Sequence, residues 1–292
     1  MWNVAIIIVI LFFISSDAVM KNLLFYLDTE YSNGNYYLGD VFDLTLIAAT
    51  SGHVFHTLIT IPTPLDNYVK FMCDMSDAKL QTEGVPFRDA FTAMIRFINC
   101  EVEDEIAEEV VVTIMSHSGY LSDFPLLVTN CIKNACDTTA MDKYRFVDTL
   151  QLLQQDVEQE THNTSISLGT CLNTQHALSL KALAKQVLGI DIHQPVHASH
   201  NDADILMRVF ALEPYRSILL DNINKQSYTL NAIQEYLQAK MPLSITTMYR
   251  LASRAKSAVQ FELLLNGHIR GKKTALNKRC IGDIAHYYYN YL

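Results

Sequence analysis

The chain has 292 residues, half of them hydrophobic and 18% charged, with 10 Gly and 7 Pro. That is enough apolar material for one or two folded domains, and it excludes wholesale disorder, collagen-like and low-complexity architectures. Twenty-two Lys+Arg against 31 Asp+Glu give a net charge of −9, which excludes a histone-like polycation.

Trp2 to Ile14 is almost wholly apolar, but 13 residues fall short of the roughly 20 that span a bilayer as a helix, and no Lys or Arg precedes them. Residues 1–19 therefore read three ways: a signal or short anchor, a buried extra strand, or an extension upstream of a functional start at Met20. Leu23 to Leu27 is a continuous apolar run, as in a strand buried on both faces. Val41 to Ala48 and His53 to Thr60 predict two more strands joined by a turn at Ser51-Gly52. After Pro86, residues Phe87, Phe91, Met94, Ile95 and Ile98 form one helical stripe. The acid run Glu101 to Glu109 reads as a solvated loop or helix end. Val110 to Met115 predicts a buried strand, Phe124 to Ile132 a helix and Arg145 to Asp148 a short strand. His176 to Leu188, ended by Gly189, and Asp202 to Leu212, before Pro214, predict two further helices. Three strands followed by alternating strands and helices imply an α/β sheet of about five strands, mixed in direction. After residue 215 helical stripes dominate and no strand-like run appears. The six cysteines, Cys73, Cys100, Cys131, Cys136, Cys171 and Cys280, include no CxxC pair and read as reduced thiols, mostly buried.

Asp28 and Glu30 close the first strand, two residues apart, so both point to one face. Two such carboxylates repel unless a cation sits between them, and an oxygen-only site suits Mg²⁺ or Mn²⁺. Asp123 opens the helix that follows Val110 to Met115, with Ser122 as a candidate cap. On the last helix Asp202 shares the core-facing side with Ile205, Leu206 and Val209. Asp204 lies about 200° further round and pairs with Arg208 at the surface.

The order D-x-E at Asp28 and Glu30, H-x-G-x-x-x-D-F-P-L-L from His117 to Leu127, and H-x4-D-A from His197 to Ala203 resembles the DEDDh 3′→5′ exonucleases, DnaQ-like members of the RNase H-like superfamily. Asp123-Phe124-Pro125-Leu126-Leu127 is most similar to the three-prime repair exonuclease (TREX) family, and the resemblance covers about residues 20–215. It implies an RNase H-like mixed five-stranded sheet flanked by helices. It also implies two Mg²⁺ ions, for which Mn²⁺ can substitute: Asp28 bridges both, Glu30 and Asp202 hold the first, and Asp123 holds the second. His197 is implied as the general base, Thr29, Tyr31 and His117 as nucleic-acid contacts, and a homodimer as a common assembly. The rival His200 has Ile205, not an acid, five residues on. Tyr31-Ser32 stand where the family often has Thr-Gly, and Ser118 where it usually has Asn. Neither departure removes a metal ligand.

From Ser244 to Leu292 eight Lys+Arg face two acids, a net of +6, which leaves −15 on residues 1–243. Lys272-Lys273-x-x-Leu276-x-x-Arg279 resembles the second half of a SAP-type DNA-binding helix pair. Arg270, Lys272, Lys273, Lys278 and Arg279 would then grip phosphates; the alternative is a helical hairpin with a solvated basic face. The organisation expected is residues 1–19 as an apolar segment, 20–215 as the exonuclease domain and 216–292 as a helical basic region. The activity expected is release of nucleoside 5′-monophosphates from DNA, single-stranded or at 3′ ends. An RNA-directed exonuclease of the same fold and a non-catalytic nucleic-acid-binding module are the alternatives. Nucleus or cytoplasm is the expected compartment, or the secretory route or a membrane if residues 1–19 serve as signal or anchor.

Overall fold

Strand β1 (Met20–Tyr31) is the spine of the molecule, and it extends the apolar run at both ends. Its side chains alternate between two layers: Leu23, Phe25 and Leu27 enter one core and Tyr26 the other. The computed structural model describes residues 20–32, 39–105, 109–162, 178–191, 198–240 and 260. Residues 1–19, His197 and the basic residues Arg270, Lys272, Lys273, Lys278 and Arg279 lie outside the described residues.

β2 (Val41–Ala48) pairs antiparallel with β1 and with β3 (Val54–Leu58). Gly52 takes the left-handed conformation that the connecting turn requires, at φ 72°. β4 (Glu109–Ser116) runs parallel to β1 on its other side, and β5 (Arg145–Asp148) runs parallel to β4. The mixed α/β sheet expected from the sequence is therefore present, but it has six strands, in the order β3-β2-β1-β4-β5-β6. The sixth, β6 (Ser227–Tyr228), pairs antiparallel with β5. Two residues are too few to leave a period-2 pattern, which is why no strand was legible after 215.

Three helices cover one face of the sheet: α3 (Phe87–Glu103), α4 (Asp123–Lys133) and α9 (Leu230–Lys240). The other face carries α5 (Thr149–His162), α6 (Leu180–Leu188), α7 (Ser199–Phe210) and α8 (Tyr215–Asn222). Two short helices, α1 (Asn67–Met72) and α2 (Asp77–Glu83), stand beside the β2–β3 edge on Phe42, Ile61, Leu65 and Leu80. The stripe expected on α3 is the buried one, with Phe87, Phe91, Met94 and Ile98 inside. α6 ends as expected at Gly189, whose φ is 68°. α7 begins three residues before Asp202, at Ser199.

Helices past residue 215 pack on the same sheet: Tyr215, Ile218 and Leu219 lie in one core, and Leu230, Ile233 and Leu237 in the other. One reading of the sequence is corrected. The first acid of the Glu101–Glu109 run is not solvated. Glu101 is buried at the end of α3 and accepts from Ser51 Oγ at 2.7 Å, with His53 Nδ1 also at 2.7 Å. Of the described cysteines, Cys73 and Cys131 are buried, Cys136 is half-buried and Cys100 is exposed. Among the described residues no helix is long and apolar enough to cross a membrane.

Candidate metal centre

The C-terminal end of β1 lies where the sheet changes direction, antiparallel to β2 on one side and parallel to β4 on the other. In open α/β sheets this is where a crevice forms that side chains from several elements can reach. Asp28 stands opposite Thr45 of β2 and Glu30 opposite Asp43, and the register slips between Glu30 and Tyr31. α7 packs across β1 and β2 and brings Asp202 to the same place. Asp28, Glu30 and Asp202 each offer a carboxylate oxygen, and these oxygens lie within 4.8 Å of one another.

Such a set is electrostatically incomplete. Withdrawal from water pushes the Asp28 carboxyl well above the usual carboxylate range, and Asp123, Glu30, Asp202 and Asp43 push it further the same way. Among the described residues, like charges are gathered here. The donors are all hard oxygens, which matches a divalent ion such as Mg²⁺ or Mn²⁺. The residues present therefore fit the group that the sequence resemblance implies.

Asp123 is held differently. It is the first residue of α4 and is buried. Its Oδ1 accepts from the Thr29 backbone N–H at 3.0 Å and the Thr29 hydroxyl at 2.6 Å. Its Oδ2 accepts from Ser116 Oγ at 2.7 Å and Ser122 Oγ at 2.9 Å. These four donors take up all the lone-pair positions of the carboxylate. Burial raises its pKa, and the hydrogen bonds from Thr29, Ser116 and Ser122 oppose that rise. Ser122 does not cap α4 as expected: its hydroxyl goes to Asp123 and to the Ser118 carbonyl, and no side-chain cap bond forms.

The loop between β4 and α4 is built around two special positions. Ser118 has φ 63°, a conformation that Asn tolerates better than Ser. Its backbone N–H donates to Asp148 Oδ1 at 3.1 Å. At Gly119 an added Cβ would come within 2.7 Å of the Phe124 ring and of Ser116 Cβ. A side chain there would displace the residue next to Asp123, which gives the Gly of the H-x-G motif its physical reason.

Thr29 and His117 both face inward. Thr29 is 5% exposed and bound to Asp123. His117 has Nδ1 3.1 Å from Thr149 Oγ1 and Nε2 2.8 Å from the Leu178 carbonyl, and burial lowers its pKa to about 4. Tyr31 is partly exposed at the β1 end. His200 is exposed on the first turn of α7, with its ring 6.1 Å from that of His56. Asp204 meets Arg208 at 3.5 Å, as expected of a surface pair.

Three residues beside the cluster were not singled out from the sequence. Asp43, 5% exposed in β2, accepts from Ser199 Oγ at 2.7 Å and has His56 Nε2 at 2.9 Å. That hydrogen bond raises the His56 pKa. Ser199 thereby ties the first turn of α7 to β2, three residues before Asp202. Cys73 directs its Sγ at Glu30 Oε2, 3.6 Å away. An acid inside the apolar run VFDLTLIA was the signal available for Asp43.

No protein-family model matches the sequence, and no curated protein does. Several solved structures are similar in chain path. One is described as 3′-end specific recognition of histone mRNA stem-loop by 3′-exonuclease, with 10% identity, a TM-score of 0.48, and 69% of this chain and 64% of that chain covered. A second is the nuclease domain of 3′hExo, described as a DEDDh family member bound to rAMP, with 11% identity, a TM-score of 0.48, and 70% and 96% covered. A third is the zinc ion bound form of an E. coli ExoI–ssDNA complex, with 13% identity, a TM-score of 0.49, and 68% and 42% covered. The chain thus spans under two thirds of the length of the first and third. At 10–13% identity and TM-scores below 0.5, the likeness is confined to chain path.

Proposed function

We propose that the protein is a divalent-metal-dependent 3′→5′ exonuclease that releases nucleoside 5′-monophosphates from DNA. The observation that carries this reading is the convergence of Asp28, Glu30 and Asp202, with oxygens within 4.8 Å, at the C-terminal end of the central strand. The sequence order of the three motifs adds the polarity and, through its likeness to the TREX family, the sugar.

Asp28, Glu30 and Asp202 would hold the first Mg²⁺, and Asp28 with Asp123 would face the second. Asp123 would do so through water, or after Ser116 and Ser122 turn away. Bound divalent ions supply Lewis-acid stabilisation of phosphoryl charge and lower the pKa of an attacking water. His197 lies five residues before Asp202. It is the group we assign to take the proton from that water, a task suited to an imidazole near neutral pKa. Thr29, Ser116 and Ser122 orient Asp123. Asp43 and Ser199 fix the approach of α7, and hence of Asp202.

The test is the purified full chain with Mg²⁺ and 3′- or 5′-labelled single-stranded DNA, duplex DNA and RNA, with EDTA controls. The expected outcome is EDTA-sensitive shortening from the 3′ end with mononucleotide release, fastest on DNA. Preference for RNA would reassign the substrate within the same chemistry. Cleavage that ignores a blocked 3′ end would reassign the enzyme as an endonuclease.

A further inference from the structure

The C-terminal end of α4 brings two thiols together. The helix ends at Lys133, and Asn134 follows as its cap. Ala135 then enters the left-handed region, at φ 48°. Two hydrogen bonds close the turn: the Cys136 N–H donates to the Cys131 carbonyl at 2.9 Å, and the Ala135 N–H to the Ile132 carbonyl at 3.3 Å. This is a Schellman motif, which folds the side chain two residues past the cap back onto the last turn of the helix. The side chains so paired are Cys136 and Cys131, and their thiols hydrogen-bond to each other. Cys131 is buried in the core beneath α4, whereas Cys136 is half-buried at its rim. Arg88, in the first turn of α3, donates from Nη2 and Nε to the Asn134 carbonyl at 2.6 and 3.1 Å, which sets its guanidinium near Cys136. The Cys131 S–H lowers the Cys136 pKa, and the guanidinium acts the same way, against the effect of burial. Burial pushes the Cys131 thiol up, so it keeps its proton. A partly accessible thiol biased toward thiolate and touching a second thiol is the arrangement that oxidises selectively.

We propose that Cys131 and Cys136 form a reversible disulfide, a modification site that takes a hydroperoxide as its oxidant. With hydrogen peroxide, the Cys136 thiolate attacks one oxygen, the O–O bond breaks, and hydroxide leaves and takes up a proton to become water. Cys136 is then a sulfenic acid. The Cys131 sulfur attacks the Cys136 sulfur, the S–O bond breaks, and the oxygen leaves as a second water with the Cys131 proton. Two thiols are oxidised and one peroxide is reduced. The loop from Cys131 to Cys136 is short, so the bond adds little stability through chain entropy, and the fold does not depend on it. The site lies at the opposite end of α4 from Asp123 and does not rest on the nuclease reading.

The experiment uses the full chain, reduced, exposed to hydrogen peroxide in EDTA, alkylated and digested with trypsin. Cleavage after Lys133 separates the two cysteines. The expected product is a linked pair of peptides, lighter by two hydrogens than the two free thiols and released by dithiothreitol. It should persist in Cys100→Ser, since Cys100 falls on the same tryptic peptide as Cys131. It should vanish in Cys131→Ala and in Cys136→Ser, with melting curves like the wild type's as the control for folding. In Cys131→Ala the Cys136 sulfenic acid meets no second thiol, so dimedone should label Cys136 there and leave it largely unlabelled in the wild type. Arg88→Gln should move the pH profile of Cys136 alkylation to higher pH and slow its oxidation severalfold. Linkage of Cys136 to a different cysteine, or equal dimedone labelling with and without Cys131, would overturn the proposal. So would a Cys136 that stays a free thiol while the exposed Cys100 is oxidised, which would make exposure alone the cause of reactivity.

Discussion

Asp123 and Asp28 sit at the same end of the sheet, and their surroundings are opposite in kind. Asp123 is surrounded by donors: Thr29 twice, Ser116 and Ser122. Asp28 is surrounded by acids: Asp123, Glu30, Asp202 and Asp43. A buried carboxylate with four donors is complete in the folded chain alone. One ringed by carboxylates is held in place by the fold at a cost, which a cation offsets. The difference separates a side of the site built for stability from a side built for binding, and each prediction below tests that division.

The largest effect is expected at Asp28. Asp28→Asn should lower turnover by at least about a thousandfold, the scale of removing one essential electrostatic group. The same change should raise the melting temperature of the metal-free protein, because like-charge repulsion is relieved. Calorimetry in EDTA and with Mg²⁺ reads both halves: Mg²⁺ should raise the wild-type Tm and leave the variant's unmoved. A variant destabilised in EDTA would place Asp28 on the stability side.

Asp123→Ala should move metal-free stability the other way. It strands the Thr29 N–H and the Thr29 and Ser116 hydroxyls in a buried site, while Ser122 keeps the Ser118 carbonyl, at a cost of about 2–4 kcal/mol, or a fall of about 5–10 °C in Tm for a protein of this size. Opposite signs for Asp28→Asn and Asp123→Ala in one calorimetric series would confirm the division, and equal signs would remove it.

His117 belongs with Asp123. Its folded pKa of about 4 lies below the ordinary imidazole value of 6.5, so the folded state resists a proton that the unfolded chain accepts. Stability should not depend on this group above pH 6.5. It should then fall as the pH drops from 6.5 toward 4, by about 2 kcal/mol at pH 5. Urea midpoints in EDTA at pH 7 and pH 5 measure it. His117→Gln, which keeps a donor for the Leu178 carbonyl, should flatten the difference.

The two sides were not equally legible in the sequence. Asp28, Glu30 and Asp202 could be read because each breaks a rule of its element: acids closing an apolar strand, and an acid on a core-facing helix stripe. The helices around α4 and α6 followed from periodicity. β6 did not, because it owes its existence to the edge of β5 rather than to any pattern of its own. The donors to Asp123 were also hidden. Ser116 and Ser122 are ordinary loop residues in sequence, and only the folding of the β4–α4 connection around Gly119 turns their hydroxyls onto one carboxylate. Thr29 lies between two acids in the motif, yet the alternation of β1 turns it toward the opposite layer.

The smallest predicted effect concerns the link between the two sides. Asp43 and Ser199 are both buried, at 5% and 0% exposure, and their hydrogen bond at 2.7 Å ties α7 to β2. Thr45 Oγ1, 2.7 Å from Ser199 Oγ, completes the tie. Ser199→Ala removes the hydroxyl but leaves Asp43 with His56 and the Ser199 backbone N–H, so stability should fall by only about 1 kcal/mol. Asp202 is three residues along the same helix, and a loosened first turn admits more positions of its carboxylate. The Mg²⁺ concentration for half-maximal activity should therefore rise about two- to fivefold, a differential binding loss of up to roughly 1 kcal/mol, with turnover at saturating Mg²⁺ close to wild type. Asp43→Asn should raise the same midpoint by two routes, because it weakens the tie and also removes one of the charges acting on Asp28. In the double variant the tie can be lost only once, so the two shifts should fall short of adding by at least about 0.5 kcal/mol. Strict additivity would mean that Asp43 acts on the metal ligands through its charge alone and that α7 holds Asp202 without help from β2.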